Sequence, residues 1–378
     1  MIYNAPAWSE INIEALIHNI KQLRNITSPQ AELMAVIKAN AYGHGALQVA
    51  RTALANGAAR LGVARASEGA ELREAGIDAP ILVLGYTVPE EYPLILEYNL
   101  TQTVYSMQLA QDLSTIAAQS GKNVLVHIKV DTGMGRLGFF PDINGAKNII
   151  SVARLPHLEL EGIFTHFASA DCRDKSYAIK QWNSFTDFLD LLAGEGLRFP
   201  CRHAANSAAL MDMPETHLDM VRAGIAIYGI HPSNEVAQKH VKLRPVMTVK
   251  ARVAQIKHVP KGSGISYGVT HVTPAPTIVA TIPIGYADGY NRLLSSRGEV
   301  LIRGRRAPVI GRICMDQFMV DAGHLPDIQP GEEVVLLGRQ GSDEITADHI
   351  AQKINTIAYE VLCAVNCRMP KYYIGEHR

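Results

Sequence analysis

Through the first 240 residues, short apolar or β-branched runs alternate with stretches whose apolar positions recur every three or four residues. The runs at 33–38, 61–64, 81–84, 102–105, 124–130, 160–166, 201–204 and 220–223 predict strands. Between them lie helical patterns, such as Ile13, Leu16, Ile20 and Leu23 on one helix face, and Gly57 and Gly76 fall where helices should stop. Eight strands, each followed by a helix, predict an α/β fold of the (β/α)8 barrel type rather than an open doubly wound sheet.

From about Leu243 the rhythm changes. Val249, Ala251 and Val253 alternate, and apolar runs follow at 278–282, 300–302, 309–313, 318–320 and 334–337, separated by glycine and proline. This pattern predicts a mostly antiparallel β domain. Helical spacing returns only near the end, at Ile350, Ile354 and Ile357. The expected division is a barrel over residues 1–242 and a β domain over 243–378, with neither an internal repeat nor a low-complexity linker between them. A chain of 378 residues is also long enough for two cores.

Charge narrows the partners. Lys and Arg together number 36, as do Asp and Glu, so no net positive field exists to hold a nucleic acid. No apolar run is long enough to span a membrane, and MIYNAPAWSE lacks the basic and apolar regions of a secretory signal. Cys172, Cys201, Cys314, Cys363 and Cys367 form an odd, scattered set that reads as free thiols in the cytoplasm. Cys363 and Cys367 share a helix face but lack the second pair a closed metal site needs, so no metal is expected.

Chemistry in a barrel sits where strands end and the following loops begin. Lys38 closes the first barrel strand. There its amine can be partly desolvated and nucleophilic, although a lysine reaching outward to solvent fits the same position. The surrounding stretch AVIKANAYGHG closely resembles the cofactor-lysine signature of the alanine racemases. HIKVDTGMGRLG, FTHFASAD, HAANSA, MVRAGIAIYG, ISYG, TIPIGYADG, GRICMDQ and AYEVLCA follow in family order along nearly the whole chain. The resemblance implies a barrel followed by a β domain, pyridoxal 5'-phosphate as cofactor, and interconversion of L- and D-alanine by two bases in a homodimer with shared active sites. The product would serve the cell wall or alanine breakdown.

It also implies roles for individual residues. Lys38 would form the Schiff base and act as the base on the D face, with Tyr267 opposite it on the L face, supplied by the partner subunit. Asn206, Ser207, Gly224 and Ile225, after the seventh and eighth barrel strands, would hold the phosphate with Tyr42 and Tyr359. On the residues alone, Ser207 resembles a helix N-cap. Arg222 would face the pyridine nitrogen, His166 would link it to the catalytic tyrosine, and His203 would pack against the cofactor ring. Arg136 would bond the cofactor's phenolic oxygen and reach the substrate carboxylate, steadied by Lys129 if that lysine is carbamylated. Met315 and Asp316 would approach the substrate carboxylate from the partner, and Tyr286 would line the entry.

Arginine rarely gives up its proton, so Arg222 would leave the pyridine nitrogen unprotonated and favour racemisation over decarboxylation. A racemase of broad specificity and a barrel-type decarboxylase are the alternatives of the same fold. A non-enzymatic pyridoxal-phosphate carrier would lack the β domain and Tyr267.

Overall fold

Among the described residues, Trp8 and Ile11 are the first deeply buried large apolar side chains, and they sit on a strand that stays out of the barrel. The computed structural model describes residues 5–236, 241–365 and 367–375. Up to Ala223 the described strands are β1 (Ala7–Asn12), β2 (Glu32–Val36), β3 (Arg60–Val63), β4 (Ile81–Val83), β5 (Thr101–Val104), β6 (Val124–Lys129), β7 (Leu158–Phe164), β8 (Cys201–His203) and β9 (Met220–Ala223). All but the first form one parallel sheet in the order β8-β7-β6-β5-β4-β3-β2-β9. The two end strands approach closure through single backbone bonds, Asp219 N–H to Arg202 O and Arg222 N–H to Ala205 O, both 3.0 Å. This is the expected (β/α)8 barrel, nearly closed.

Local signals place the helices around it. Ile13, Leu16, Ile20 and Leu23 are all buried on helix Ile13–Ile26. Gly57 and Gly76 lie just beyond helices Ala46–Ala55 and Ala66–Glu74 with φ of 112° and 82°, values that a side chain would strain. Inside the barrel, Met34, Leu82, Cys201 and Met220 pack together. Gly62 makes room for them, since a Cβ there would lie 3.0 Å from the Met34 sulfur.

The remaining strands are β10 (Met247–Arg252), β11 (Gln255–Val259), β12 (Gly264–Ile265), β13 (His271–Val272), β14 (Thr277–Ile282), β15 (Glu299–Ile302), β16 (Arg305–Ile310), β17 (Phe318–Asp321), β18 (Glu333–Gln340), β19 (Asp343–Ile345) and β20 (Lys371–Ile374). Most join one sheet in the order β11-β14-β17-β16-β15-β18-β10-β1-β20, with β19 on β18 and β12 paired to β13. Every pairing is antiparallel except β1 with β20.

The chain falls into two compact units. One holds Ala15–Ala41 and Gly45–Arg244, and the other holds the described residues up to Glu14, Tyr42–His44 and those from Pro245 onward. The boundary therefore differs from a cut at 242/243, because β1 belongs to the β unit. Its partners β10 and β20 lie about 240 and 360 positions away, beyond the reach of any local pattern. Among the described residues, no helix is long and apolar enough to cross a membrane.

Candidate active site

Lys38 lies two residues past the end of strand β2 and is half-buried. Beyond it Ala39, Asn40, Ala41 and Tyr42 all have φ between 52° and 54°, a left-handed turn built without glycine. Such residues cost about 1–2 kcal/mol each in this conformation. The turn is held by its neighbours. The Ala39 amide donates to Glu68 Oε1 at 2.7 Å, and the other carboxylate oxygen accepts from the Ala64 amide at 2.7 Å. Asn40 Oδ1 accepts from the Ala46 amide at 2.8 Å. Glu68 thus ties the loops after β2 and β3 together, a role the sequence reading missed.

Arg222, on β9, is only 4% exposed. Its NH1 donates to His203 Nδ1 at 2.8 Å, and its NH2 donates to the Thr165 and Ala204 carbonyls at 2.8 Å each, with His166 Nδ1 at 3.2 Å. Among the described residues no carboxylate pairs with it. Burial pulls the guanidinium down to about 9, which still leaves it charged at neutral pH. His166 is held well below its usual range by burial and by the cations Arg222, Lys129, Arg136 and Lys38. Basic side chains thus gather around a neutral imidazole, a basin suited to an anionic ligand such as a phosphorylated cofactor.

Lys129, at the end of β6, is 5% exposed, and its ammonium donates to the Val130 carbonyl at 2.9 Å. Burial brings this amine to about 7, and Arg222 adds to the shift. Arg136 sits in the exposed loop that follows. The Asp131 carboxylate gathers that loop by accepting from the amides of Gly133, Gly135 and Arg136, each at 3.0 Å.

Two expectations need correction. Asn206, not Ser207, is the N-cap of helix Ser207–Asp212, and it accepts from the Ala208 and Ala209 amides. The Ser207 hydroxyl instead reaches the next loop and accepts from the Gly224 amide at 2.9 Å. Asn206, Ser207, Gly224 and Ile225 are therefore brought together, but through a bond between loops. His203 does not present its ring to a ligand. It has no exposed surface, stacks on Phe164 with centroids 4.6 Å apart, and touches the site only through Arg222.

The other candidates belong to the β unit. Tyr42 and Tyr359 have ring centroids 6.2 Å apart, and burial, reinforced by Tyr359, raises the Tyr42 phenol and keeps it a neutral donor. Tyr267 is 70% exposed, on a tight turn in which its neighbours Ser266 and Val269 have positive φ. The Ser266 hydroxyl bonds the Arg312 carbonyl, anchoring this turn to the segment that carries Met315 and Asp316. Tyr286 joins them, for its amide donates to Cys314 O and the Ala287 amide to Met315 O. Gly285 permits this approach, since a Cβ there would lie 2.2 Å from the Met315 carbonyl oxygen. Asp316 is held by Arg368 at 2.9 Å, a partner the sequence reading also missed.

His127, Cys201 and His203 place nitrogen and sulfur atoms within 4.8 Å of one another, a set that could suit a metal. The two imidazoles are already bonded, His127 Nδ1 to His203 Nε2 at 2.8 Å, and burial pushes the Cys201 thiol up to about 12. Their lone pairs are committed to that bond and to Arg222.

Residues 11–232 match the family described as "Alanine racemase, N-terminal domain", and residues 246–373 match "Alanine racemase, C-terminal domain". The chain is 51% identical over 370 residues to an alanine racemase of Desulforamulus reducens, covering 98% of this chain and 99% of the relative. An alanine racemase of Methanococcus maripaludis is 47% identical over 369 residues, with 98% and 99% covered. Among solved structures, the chain resembles alanine racemase of Clostridium difficile 630, with a TM-score of 0.95, 42% identity, and 99% and 97% of the two chains covered. It also resembles alanine racemase of Bacillus anthracis with bound L-Ala-P, with a TM-score of 0.93, 39% identity, and 99% and 96% covered.

Proposed function

The chain belongs to the alanine racemase family, pyridoxal-phosphate enzymes that interconvert L- and D-alanine by a two-base mechanism, and from that premise we propose that Lys38 and Tyr267 are its two bases. The observation that carries the reading is the cationic basin at the end of the barrel strands. Lys38 and Arg222 belong to it, and no described carboxylate neutralises that arginine. These residues fit the cofactor. Lys38 would hold it covalently, Arg222 would donate to its pyridine nitrogen, and Arg136 would bond its phenolic oxygen. The loops joined by Ser207 would take the phosphate, with Tyr42 and Tyr359. When bound, pyridoxal phosphate supplies the electron sink that lets the α-proton leave.

Proton movement is the work of the side chains. The Lys38 amine serves the D face of the α-carbon and the Tyr267 phenol serves the L face, each taking or returning one proton. Arg222 donates toward His166 Nδ1, so the neutral ring carries its hydrogen on Nε2. That N–H is a donor able to stabilise a phenolate, the form in which tyrosine acts as a base. A charged guanidinium at Arg222 would leave the pyridine nitrogen of the cofactor unprotonated, which would favour returning the proton over losing a carboxylate. Arg136 orients the substrate carboxylate, with Met315 and Asp316 beside it and Tyr286 at the entry.

Tyr267 is assigned to the site of a partner subunit. Its exposure supports this, as does that of Val269, Val272 and Met315 on the same unit, because a single chain seldom leaves so much apolar surface uncovered. In this reading Lys38 and Arg222 of one copy hold the cofactor, and Tyr267 of the second copy completes the site in a homodimer. An odd, scattered set of five cysteines supports a cytoplasmic location. Borohydride reduction followed by peptide mapping tests the central claim. The label should lie on Lys38, and finding it on Lys129 would end the assignment. Tyr267→Ala should keep the cofactor and lose nearly all racemisation.

A further inference from the structure

A file of hydrogen-bonded side chains threads the barrel interior. It begins at Arg60, the first residue of β3, at the end of the barrel away from Lys38. Arg60 NH1 donates to Glu161 Oε1 at 2.6 Å, and Glu161 Oε2 meets His127 Nε2 at 3.0 Å. His127 Nδ1 meets His203 Nε2 at 2.8 Å, and His203 Nδ1 meets Arg222 NH1 at 2.8 Å. Both rings are seated by their surroundings. A Cβ on Gly162 would lie 2.5 Å from the His127 ring, and His203 is stacked within 6° of parallel on Phe164.

The proton positions along this file follow from its ends. Arg222 only donates, so His203 Nδ1 accepts, and the ring's hydrogen sits on Nε2. That hydrogen points at His127 Nδ1, which must accept, leaving the His127 hydrogen on Nε2 and directed at Glu161. Glu161, a carboxylate with Arg60 on its other oxygen, only accepts. A donor at one end and an acceptor at the other select the same arrangement, and the reverse would set two donors face to face. Burial keeps both rings neutral, as this requires.

We propose that Glu161 and His127 are positioning residues of the racemase, which hold His203 as an acceptor toward Arg222 and so aim the guanidinium at the pyridine nitrogen. The proposal rests on the role given to Arg222 above. Neither residue touches the ligand, and they act only through His203.

Glu161→Gln is nearly isosteric but cannot accept on both sides. Arg60 claims the amide oxygen, the amide NH2 turns to His127, and a donor–donor contact arises between that amide and Arg222. Racemisation by the holoenzyme should fall in kcat, with KM for alanine little changed. The expected loss is on the order of ten- to a hundredfold, the worth of one hydrogen bond to a charged group. Arg60→Met in the same chain frees the amide to turn its oxygen to His127, so the double variant should recover most of that loss. A residue needed only for packing would not be rescued by a second lesion.

Histidine 15N spectra of the wild-type holoenzyme give a readout independent of folding in any variant. Both His127 and His203 should be protonated on Nε2, and Glu161→Gln should change the tautomer at His127. A proton on Nδ1 of either ring in the wild type overturns the proposal. So does a wild-type kcat in Glu161→Gln, or a double variant as slow as the single one. Arg222→Met, run alongside, separates this from its premise. If that variant races normally, the role of Arg222 fails. If it is slow while Glu161→Gln is normal, only the relay fails.

Discussion

Carbamylation of Lys129 is the outcome expected from how deeply its amine is buried, and it can be tested quantitatively. Only the neutral amine attacks carbon dioxide. Its lone pair forms the new N–C bond as one C=O π pair moves onto oxygen, the nitrogen gives up one proton, and a neutral amine becomes an anionic carbamate. At pH 7 an ordinary lysine near 10.5 is neutral in about three molecules in ten thousand, whereas an amine at about 7 is neutral in about half. Burial beside Arg222 and Arg136 therefore raises the reactive fraction roughly a thousandfold, and the same two cations favour the anion once it forms. The carbamate should support Arg136, so Lys129→Met should raise KM for alanine by about ten- to a hundredfold with a smaller effect on kcat, the scale of one charge-assisted hydrogen bond. The direct assay is 13C NMR of the enzyme equilibrated with 13C-bicarbonate. One carbamate resonance should appear, absent in Lys129→Met, and should fade as pH falls below 7 and the amine is protonated. No such resonance between pH 7 and 9, or one that survives the substitution, would refute the reasoning.

Three further outcomes are expected. Mixing inactive Lys38→Ala and Tyr267→Ala subunits under exchange should restore about a quarter of wild-type activity, since about half of the dimers are mixed and each regains one intact site; exchange without any recovery would mean that the two residues act within one chain. Glu161 is lowered from 4.5 to about 2, first by the bond from His127, so its contribution to stability is complete above pH 4.5 and is lost as pH falls toward 2; Glu161→Gln should flatten the acid unfolding curve in that window, and an unchanged curve would contradict the pairing. Asp142 caps helix Ile143–Val152 by accepting from the Gly145 amide at 2.7 Å, so Asp142→Ala should cost about 1 kcal/mol in urea unfolding and leave kcat unchanged.

The eight barrel strands were legible because each is a short apolar run flanked by helical spacing, and each lies at or within a residue or two of its expected place. Strands β1 and β20 were not. Ala7–Asn12 and Lys371–Ile374 carry no local mark of the sheet they join, and their membership depends on partners at the other end of the chain. Strand β11 escaped because three of its five residues are polar or charged and the other two, Ile256 and Val259, stay partly exposed, so no buried face shows. Of the proposed site residues, Lys38, Arg222 and Tyr267 were visible through extended motifs. His127 and Glu161 were not, although a histidine amid the buried run 124–130 and a glutamate in LELEGIF are both out of place in barrel strands and call for partners. Only the register of β6 on β7, in which His127 faces Gly162, shows that they meet. The cap at Asn206 was missed by a single position, too fine a difference for spacing to resolve.

The left-handed turn after Lys38 has a consequence for anyone who selects this enzyme for heat resistance. Four consecutive residues there hold a conformation that glycine adopts without penalty. Changing Ala39 or Asn40 to glycine relieves that penalty but gives the unfolded chain more freedom, and it also loosens the base on which the reactive amine stands. Asn40 would in addition lose its bond to the Ala46 amide. A library screened for residual fold after heating, and another screened for residual turnover, should therefore part company at these positions. The loop is where durability and turnover compete, and improvements that serve both should be sought elsewhere in the chain.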